Sequence, residues 1–390
     1  MHNLVRPSGT FPEQGGFSMK SMQGGRAVVL ALIALMCVVC SAGGDNDNNP
    51  VHEYYVYVTN CLSDNVSAYA INTTTGALQK VSGSPFAAGD YPGSVAADPS
   101  GKFAYVANSL SDAVSAYAIN ATTGALTKVA GSPFATGHHP GSVAVDPSGR
   151  FAYVTNANSY SVSAYSIDAI TGVLTAVAGS PFAAGNYPVA VAIDPSAKFA
   201  YVTNYSSDDV SAYAIDSTTG ALTALSGSPF AAGAKPNSIA VEPSGKFAYV
   251  TNFDYDNVSA YAVDGTTGAL TMVSGSPFPT GDAPGSVAVH PSGKFAYVVN
   301  NGSNNVSAYT INVMTGALTA VSGSPFAAGD TPSEIAVDPS GKFAYVTDSI
   351  NDKVSACTIS ATTGAVAKVA GSPFAAGNSP CSITIVHIDQ

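Results

Sequence analysis

The residues able to do chemistry in this 390-residue chain are the ones that break a repeat. A 48-residue unit recurs seven times over residues 55–390, and its copies differ mainly in two windows. One follows each Tyr-Val-Thr-Asn-like segment, as at 205–209 and 253–257. The other surrounds a recurring proline, as in His138-His139-Pro140 and Lys235-Pro236-Asn237. These windows hold the acids Asp64, Asp90, Asp112, Asp208, Asp209, Asp254, Asp256, Asp282, Asp330, Glu334 and Asp352, opposed only by Lys235 and Lys353. Tyr160, Tyr187, Tyr205, Phe253 and Tyr255 gather there too. Carboxylates beside flat aromatic faces suit a sugar or a cationic ligand. His138, His139, Lys235 and Glu334 resemble their repeat counterparts least. They are the candidates for activating water or stabilising an electrophile.

Other chemistries have no support. There is no serine nucleophile elbow, zinc-spaced His/Cys cluster or phosphate-binding glycine loop. No spacing matches a known calcium loop, so neither metal nor cofactor is expected. Arg150 is the one arginine of the repeats, and it sits in a Pro-Ser-Gly turn. Holding a phosphate calls for arginine or clustered lysine, so a phosphorylated substrate is disfavoured. The net charge of −11 and pI near 4.7 argue against nucleic acid and anionic membrane surfaces as partners. Glu242 and His290 replace a turn aspartate and read as turn variants.

The elements positioning these residues are short strands. With 38 glycines and 24 prolines, the chain is rich in turns. In the second repeat, 94–98, 103–107, 114–119 and 125–129 read as strands separated by Pro-Ser-Gly, loop and Thr-Gly turns. Four antiparallel strands at a period near 45 residues match a propeller blade. The expected fold is all-β: a seven-bladed β-propeller over 51–390. The chain enters at a second strand (55–60) and leaves on an inner-strand sequence (382–386), so one blade combines N- and C-terminal strands. A recurring Gly-Ser-Pro-Phe box fits the outermost strand, where proline blocks edge pairing. Its phenylalanine is expected to pack between blades. The nearly constant turns share one face, and the two variable windows lie on the other, around the mouth of the central channel.

Cys61 follows the second strand of the closing blade, and Cys381 precedes its first. Antiparallel neighbours bring both to one end of the blade, which predicts a disulfide clasp. Cys357 replaces a recurring tyrosine and is expected to be a buried, inert thiol.

Residues 1–50 are distinct. The apolar run 28–39, preceded by Lys20 and Arg26, reads as a secretory signal too short to span a bilayer comfortably. The Cys40-Ser41-Ala42 segment and the polar stretch 45–49 resemble a bacterial lipoprotein leader, in which Cys40 would be lipidated and the polar stretch would tether it. Val39 departs from that motif, and ordinary cleavage after Ala42 is the alternative. Either route implies an exported protein, periplasmic or at the cell surface, with no membrane contact beyond its leader or lipid anchor.

The Tyr-Val-Thr-Asn boxes at 57–60, 153–156, 201–204 and 249–252, with Pro-Ser-Gly-Lys and Thr-Thr-Gly-Ala-Leu, resemble the YVTN β-propeller repeat family. That family shares its seven-bladed fold with the lactonase group named after 6-phosphogluconolactonase. The resemblance covers 55–390 and implies the fold; a fold does not imply an activity. The function expected is a monomeric ligand-binding or protein-interaction scaffold working through the acidic, aromatic mouth. Its ligand would be a small molecule, glycan or envelope protein, contacted by Tyr160, Tyr187, Tyr205, Asp208, Asp209, Asn237, Phe253, Asp254, Tyr255 and Asp256. The alternative is a hydrolase of a non-phosphorylated sugar lactone.

Overall fold

The computed structural model describes residues 54–388; the leader, with Cys40, lies outside them. Seven antiparallel sheets form the blades, six continuous in sequence and one closing the ring. The closing blade, blade 1, pairs Tyr54–Asn60 with Asn65–Ile71 on one side and with the C-terminal Pro380–His387 on the other. Blades 2 to 7 follow in chain order, starting from the inner strands Pro92–Ala97, Pro140–Val145, Pro188–Ile193, Pro236–Val241, Pro284–Val289 and Pro332–Val337. The three-plus-one closure expected from the sequence is therefore present. Cys61 and Cys381 are disulfide-bonded across it, with Cα atoms 6.0 Å apart.

The second strands of blades 2 to 7, such as Phe103–Asn108, are buried along their whole length, and that of blade 1 is buried from Tyr55 on. Both faces are covered because the core lies between blades. One apolar cluster joins Tyr57 and Val66 of blade 1 to Val95 and Val106 of blade 2. Another joins Val58 and Ile71 to Phe343 and Tyr345 of blade 7, which completes the circle.

The recurring motif is explained by this packing. Tyr105 is fully buried, and its hydroxyl donates to the carbonyl of Gly172, in the Thr-Gly turn of the next blade, at 3.1 Å. The same bond recurs around the ring and closes it from Tyr345 to Gly76 at 3.0 Å. Gly172 has φ 72°, and a Cβ there would lie 2.3 Å from the Phe103 ring. The turn is constant because it is docked as well as tight. The motif asparagine is also structural: Asn108 Oδ1 accepts the Gly89 N–H at 3.0 Å.

The Gly-Ser-Pro-Phe box differs in detail from expectation. It does not lie within the fourth strand but splits the outer edge in two. Leu78–Lys80 pairs with one half of the third strand, and Phe86–Ala87 with the other half. In the gap, Ser84 Oγ accepts the Ala68 N–H at 2.8 Å, so the interrupted ladder leaves no orphan donor. Phe86 packs against the interblade cluster, as anticipated. Glu242 and His290 cap their turns: the Glu242 carboxylate accepts the Ser244 and Lys246 N–H groups, and His290 Nδ1 pairs with Ser292. Cys357 departs from expectation. It is half-buried, and burial pushes its thiol up to about 11, which keeps it un-ionised at neutral pH.

Candidate functional site

The rim of the channel is built from a repeated aspartate. Asp64, Asp112, Asp208, Asp256 and Asp352 adopt left-handed backbone, a region aspartate tolerates better than most residues. Each carboxylate accepts a backbone N–H from the start of the next blade, as Asp112 does from His139 at 2.8 Å and Asp208 from Lys235 at 2.9 Å. Five of the eleven window acids are thus interblade latches. Asp209 is likewise engaged, with Asn204 Nδ2 at 2.6 Å. Thr331 is held in the same way by Asn304 Oδ1 at 2.8 Å. All seven residues at this repeat position, Tyr91, His139, Tyr187, Lys235, Ala283, Thr331 and Ser379, are themselves left-handed, with φ of 50–57°. Non-glycine residues in this region cost about 1 kcal/mol each, and such strain concentrates at functional sites.

Inside this rim lies a cavity of about 460 Å³, to which all seven blades contribute. Its wall carries a ring of inner-strand positions: Ser94, Ser142, Ala190, Ser238, Ser286, Glu334 and Ser382. The hydroxyls of Ser94, Ser142, Ser238 and Ser382 also tie blades together; Ser94 Oγ, for example, accepts the Val143 N–H at 3.2 Å. Glu334 Oε2 takes the same role toward the Ile383 N–H at 2.8 Å. Among the described residues, Glu334 is the one carboxylate lining the cavity, and no lysine or arginine lines it. Burial in the wall raises its carboxyl to about 7, against the lowering effect of Ser382 and the Ile383 N–H. At neutral pH it can therefore both give and take a proton. Asn237 also lines the cavity, with Nδ2 donating to the Gly285 carbonyl at 2.7 Å.

The remaining sequence candidates divide between wall and rim. His139 and Tyr187 line the cavity, whereas Tyr205 and Phe253 continue outward as a row of rings. Centroids are 6.3 Å apart for His139–Tyr187, 6.1 Å for Tyr187–Tyr205 and 6.4 Å for Tyr205–Phe253. Lys235 points away from the cavity wall. It pairs with Asp254 at 2.7 Å and lies over the Tyr205 ring at 5.7 Å. The Asp254 contact raises its pKa. His138 is held 2.8 Å from Asp112, and its side chain is 77% exposed. The Asp112 carboxyl is lowered, first by the His139 N–H and then by His138. Tyr160, Tyr255, Asp254 and Asp256 are exposed and do not reach the wall. Arg150 lies outside the cavity, donating to the Ser217 carbonyl and stacking on Phe151.

The serine ring was missed by sequence reasoning, because a near-constant serine within a strand reads as scaffold. Its signal was the single carboxylate at one of seven equivalent positions. Also missed was an apolar arc at one repeat position of the mouth, where Leu62, Leu110 and Ile350 are exposed on consecutive blades.

The seven-bladed β-propeller lactonase family model matches residues 50–135, 130–234 and 231–387. No curated protein matches the chain. Among solved structures, a candidate 6-phosphogluconolactonase from Bacteroides uniformis superposes with a TM-score of 0.76 at 20% identity. It covers 86% of this chain and 100% of its own. Its counterpart from Bacteroides fragilis gives a TM-score of 0.76 at 20% identity, covering 88% of this chain and 100% of its own. The periplasmic gluconolactonase of Pseudomonas aeruginosa gives 0.74 at 19%, covering 86% of this chain and 99% of its own. At such identities the likeness speaks for the fold. With its seven blades, closed ring and family match over nearly the whole propeller, the chain belongs to the seven-bladed β-propeller lactonase family.

Proposed function

We propose that the channel binds a neutral, polyhydroxylated small molecule of the sugar or sugar-lactone class. The observation that carries this reading is the wall: serine hydroxyls, the Asn237 amide and one carboxylate, with no lysine or arginine among the described residues. Hydroxyl and amide groups exchange hydrogen bonds with sugar hydroxyls, and the rim rings of Tyr91, His139 and Tyr187 offer flat faces for a pyranose. A phosphate would meet no cation in the wall, which argues against a phosphorylated ligand. The disulfide across the closing blade supports an exported protein, by lipidation at Cys40 or cleavage after Ala42. Binding a protein partner at the mouth is a less favoured reading, because the polar contacts converge inside the channel.

A second reading, hydrolysis of a non-phosphorylated lactone, is favoured by Glu334. With its carboxyl near 7, Glu334 would accept a proton from water as that water attacks the lactone carbonyl. It would then return the proton to the ring oxygen as the acyl–oxygen bond breaks. Serine hydroxyls of the ring would receive the developing negative charge. A pH-stat assay on glucono-1,5-lactone tests this. The expected result is kcat/KM rising with pH through about 7 and falling at least ~100-fold in Glu334→Gln. Unchanged turnover in the variant would reject Glu334 as base. Binding without turnover would leave the sugar-binding reading standing alone.

A further inference from the structure

The seam between blades 6 and 7 differs from the other six. Elsewhere the third strand carries a tyrosine whose ring fills the seam and whose hydroxyl donates to a carbonyl of the preceding blade. Tyr117 reaches Ala87 at 2.7 Å, Tyr213 reaches Ala183 at 2.6 Å and Tyr309 reaches Pro279 at 2.6 Å. Those rings are buried. In blade 7 the residue is Cys357, so no tyrosyl hydroxyl reaches the equivalent carbonyl, that of Ala327. The leucine packed beside the ring elsewhere, such as Leu318, is here Val366. Both replacements remove side-chain volume from one place.

The consequence is a groove of about 300 Å³ lined by Phe326, Ala327, Asp348, Ser355, Cys357 and Val366. It continues inward to Ile335, Ala344 and Val346. Ser355 is half-buried, whereas its counterparts, such as Ser115 and Ser259, are buried. Those counterparts receive an asparagine donor, as Ser115 does from Asn108 at 3.0 Å. Blade 7 has Asp348 in place of that asparagine, and a carboxyl group lacks the amide NH₂ that makes this bond.

We infer that this seam is a binding site for a small phenol, whose ring takes the place of the absent tyrosine and whose hydroxyl donates to the Ala327 carbonyl. The other six blades supply the template: the same chain places a phenol ring, with the same hydrogen bond, at each equivalent position. Apolar cavities left by a missing side chain take up aromatic molecules of matching size. The un-ionised Cys357 thiol presents a weakly polar floor compatible with a ring edge. The site is separate from the channel and does not depend on its ligand.

The test is thermal unfolding of the full-length protein with p-cresol, and with toluene, which lacks the hydroxyl. At p-cresol about ten times its Kd, the unfolding temperature should rise about 2 °C. Toluene should give a smaller rise. Cys357→Tyr should abolish the p-cresol effect and itself raise the unfolding temperature. Val366→Leu, a milder change that narrows the groove, should weaken p-cresol binding severalfold and serves if the tyrosine variant does not fold. Equal p-cresol shifts in wild type and variants, or no shift in wild type, would overturn the assignment.

Discussion

Glu334 is where one residue changes the character of a site. Its position is serine in five of the seven blades, and its backbone role as acceptor for the next inner strand is unchanged. What it adds is a carboxyl raised to about 7 by burial. That shift links stability to pH. Below the unfolded-state value, near 4.5, both states hold the proton and no penalty exists. Between there and about 7 the folded form keeps the proton that the unfolded form has lost, so stability falls as pH rises; above 7 the penalty is complete. Its upper bound is about 3 kcal/mol, reduced by water in the channel. Glu334→Gln keeps an acceptor for Ile383 and removes the charge. It should be more stable than wild type by about 1–3 kcal/mol at pH 8. At pH 4 it should be no more stable, as urea unfolding at the two pH values would show. Glu334 was legible in the sequence as an outlier among repeats, but its environment was not: burial and the Ser382 contact come from blades brought together only by ring closure. The window acids show the converse. Counted along the chain they look like a binding surface, yet Asp64, Asp112, Asp208, Asp256 and Asp352 hold backbone N–H groups 27 residues away.

At the scale of the strand and turn, the most recognisable motif serves the fold. The tyrosine of Tyr-Val-Thr-Asn docks the next blade's turn, and the asparagine receives a glycine N–H. Strand order and blade count could therefore be read from the repeat, since period-2 patterning and turn chemistry are local properties. The split outer edge could not, because it depends on a side chain substituting for the ladder. In blade 3 that side chain is Ser180, whose Oγ accepts the Ala164 N–H at 2.9 Å. Ser180→Ala leaves this N–H without its partner and should cost about 1–2 kcal/mol. Denaturant titration would register that loss as a lower midpoint with an unchanged slope. An unaltered midpoint would mean that water replaces the hydroxyl without penalty.

For the whole molecule, closure and asymmetry matter together. The ring is completed by antiparallel pairing of Tyr54–Asn60 with Pro380–His387 and clasped by the Cys61–Cys381 disulfide, which links residues 320 apart. Replacing both cysteines with serine should lower stability by about 2–5 kcal/mol, the usual range for a native disulfide. The midpoint of chemical unfolding under oxidising conditions measures it. A closed ring of nearly equal blades then presents one face with constant, docked turns and one face that varies. On the variable face, a hydroxyl-lined channel with one carboxylate meets a row of rings on blades 3 to 5. The most direct test is calorimetric titration of the oxidised protein with aldonolactams, stable isosteres of sugar lactones, and with their 6-phosphates. The neutral compounds should bind at least ~10-fold tighter than the phosphorylated ones, because the wall offers a phosphate no cation to compensate its desolvation. Tighter binding of the phosphates would contradict a channel built for neutral polyhydroxylated ligands.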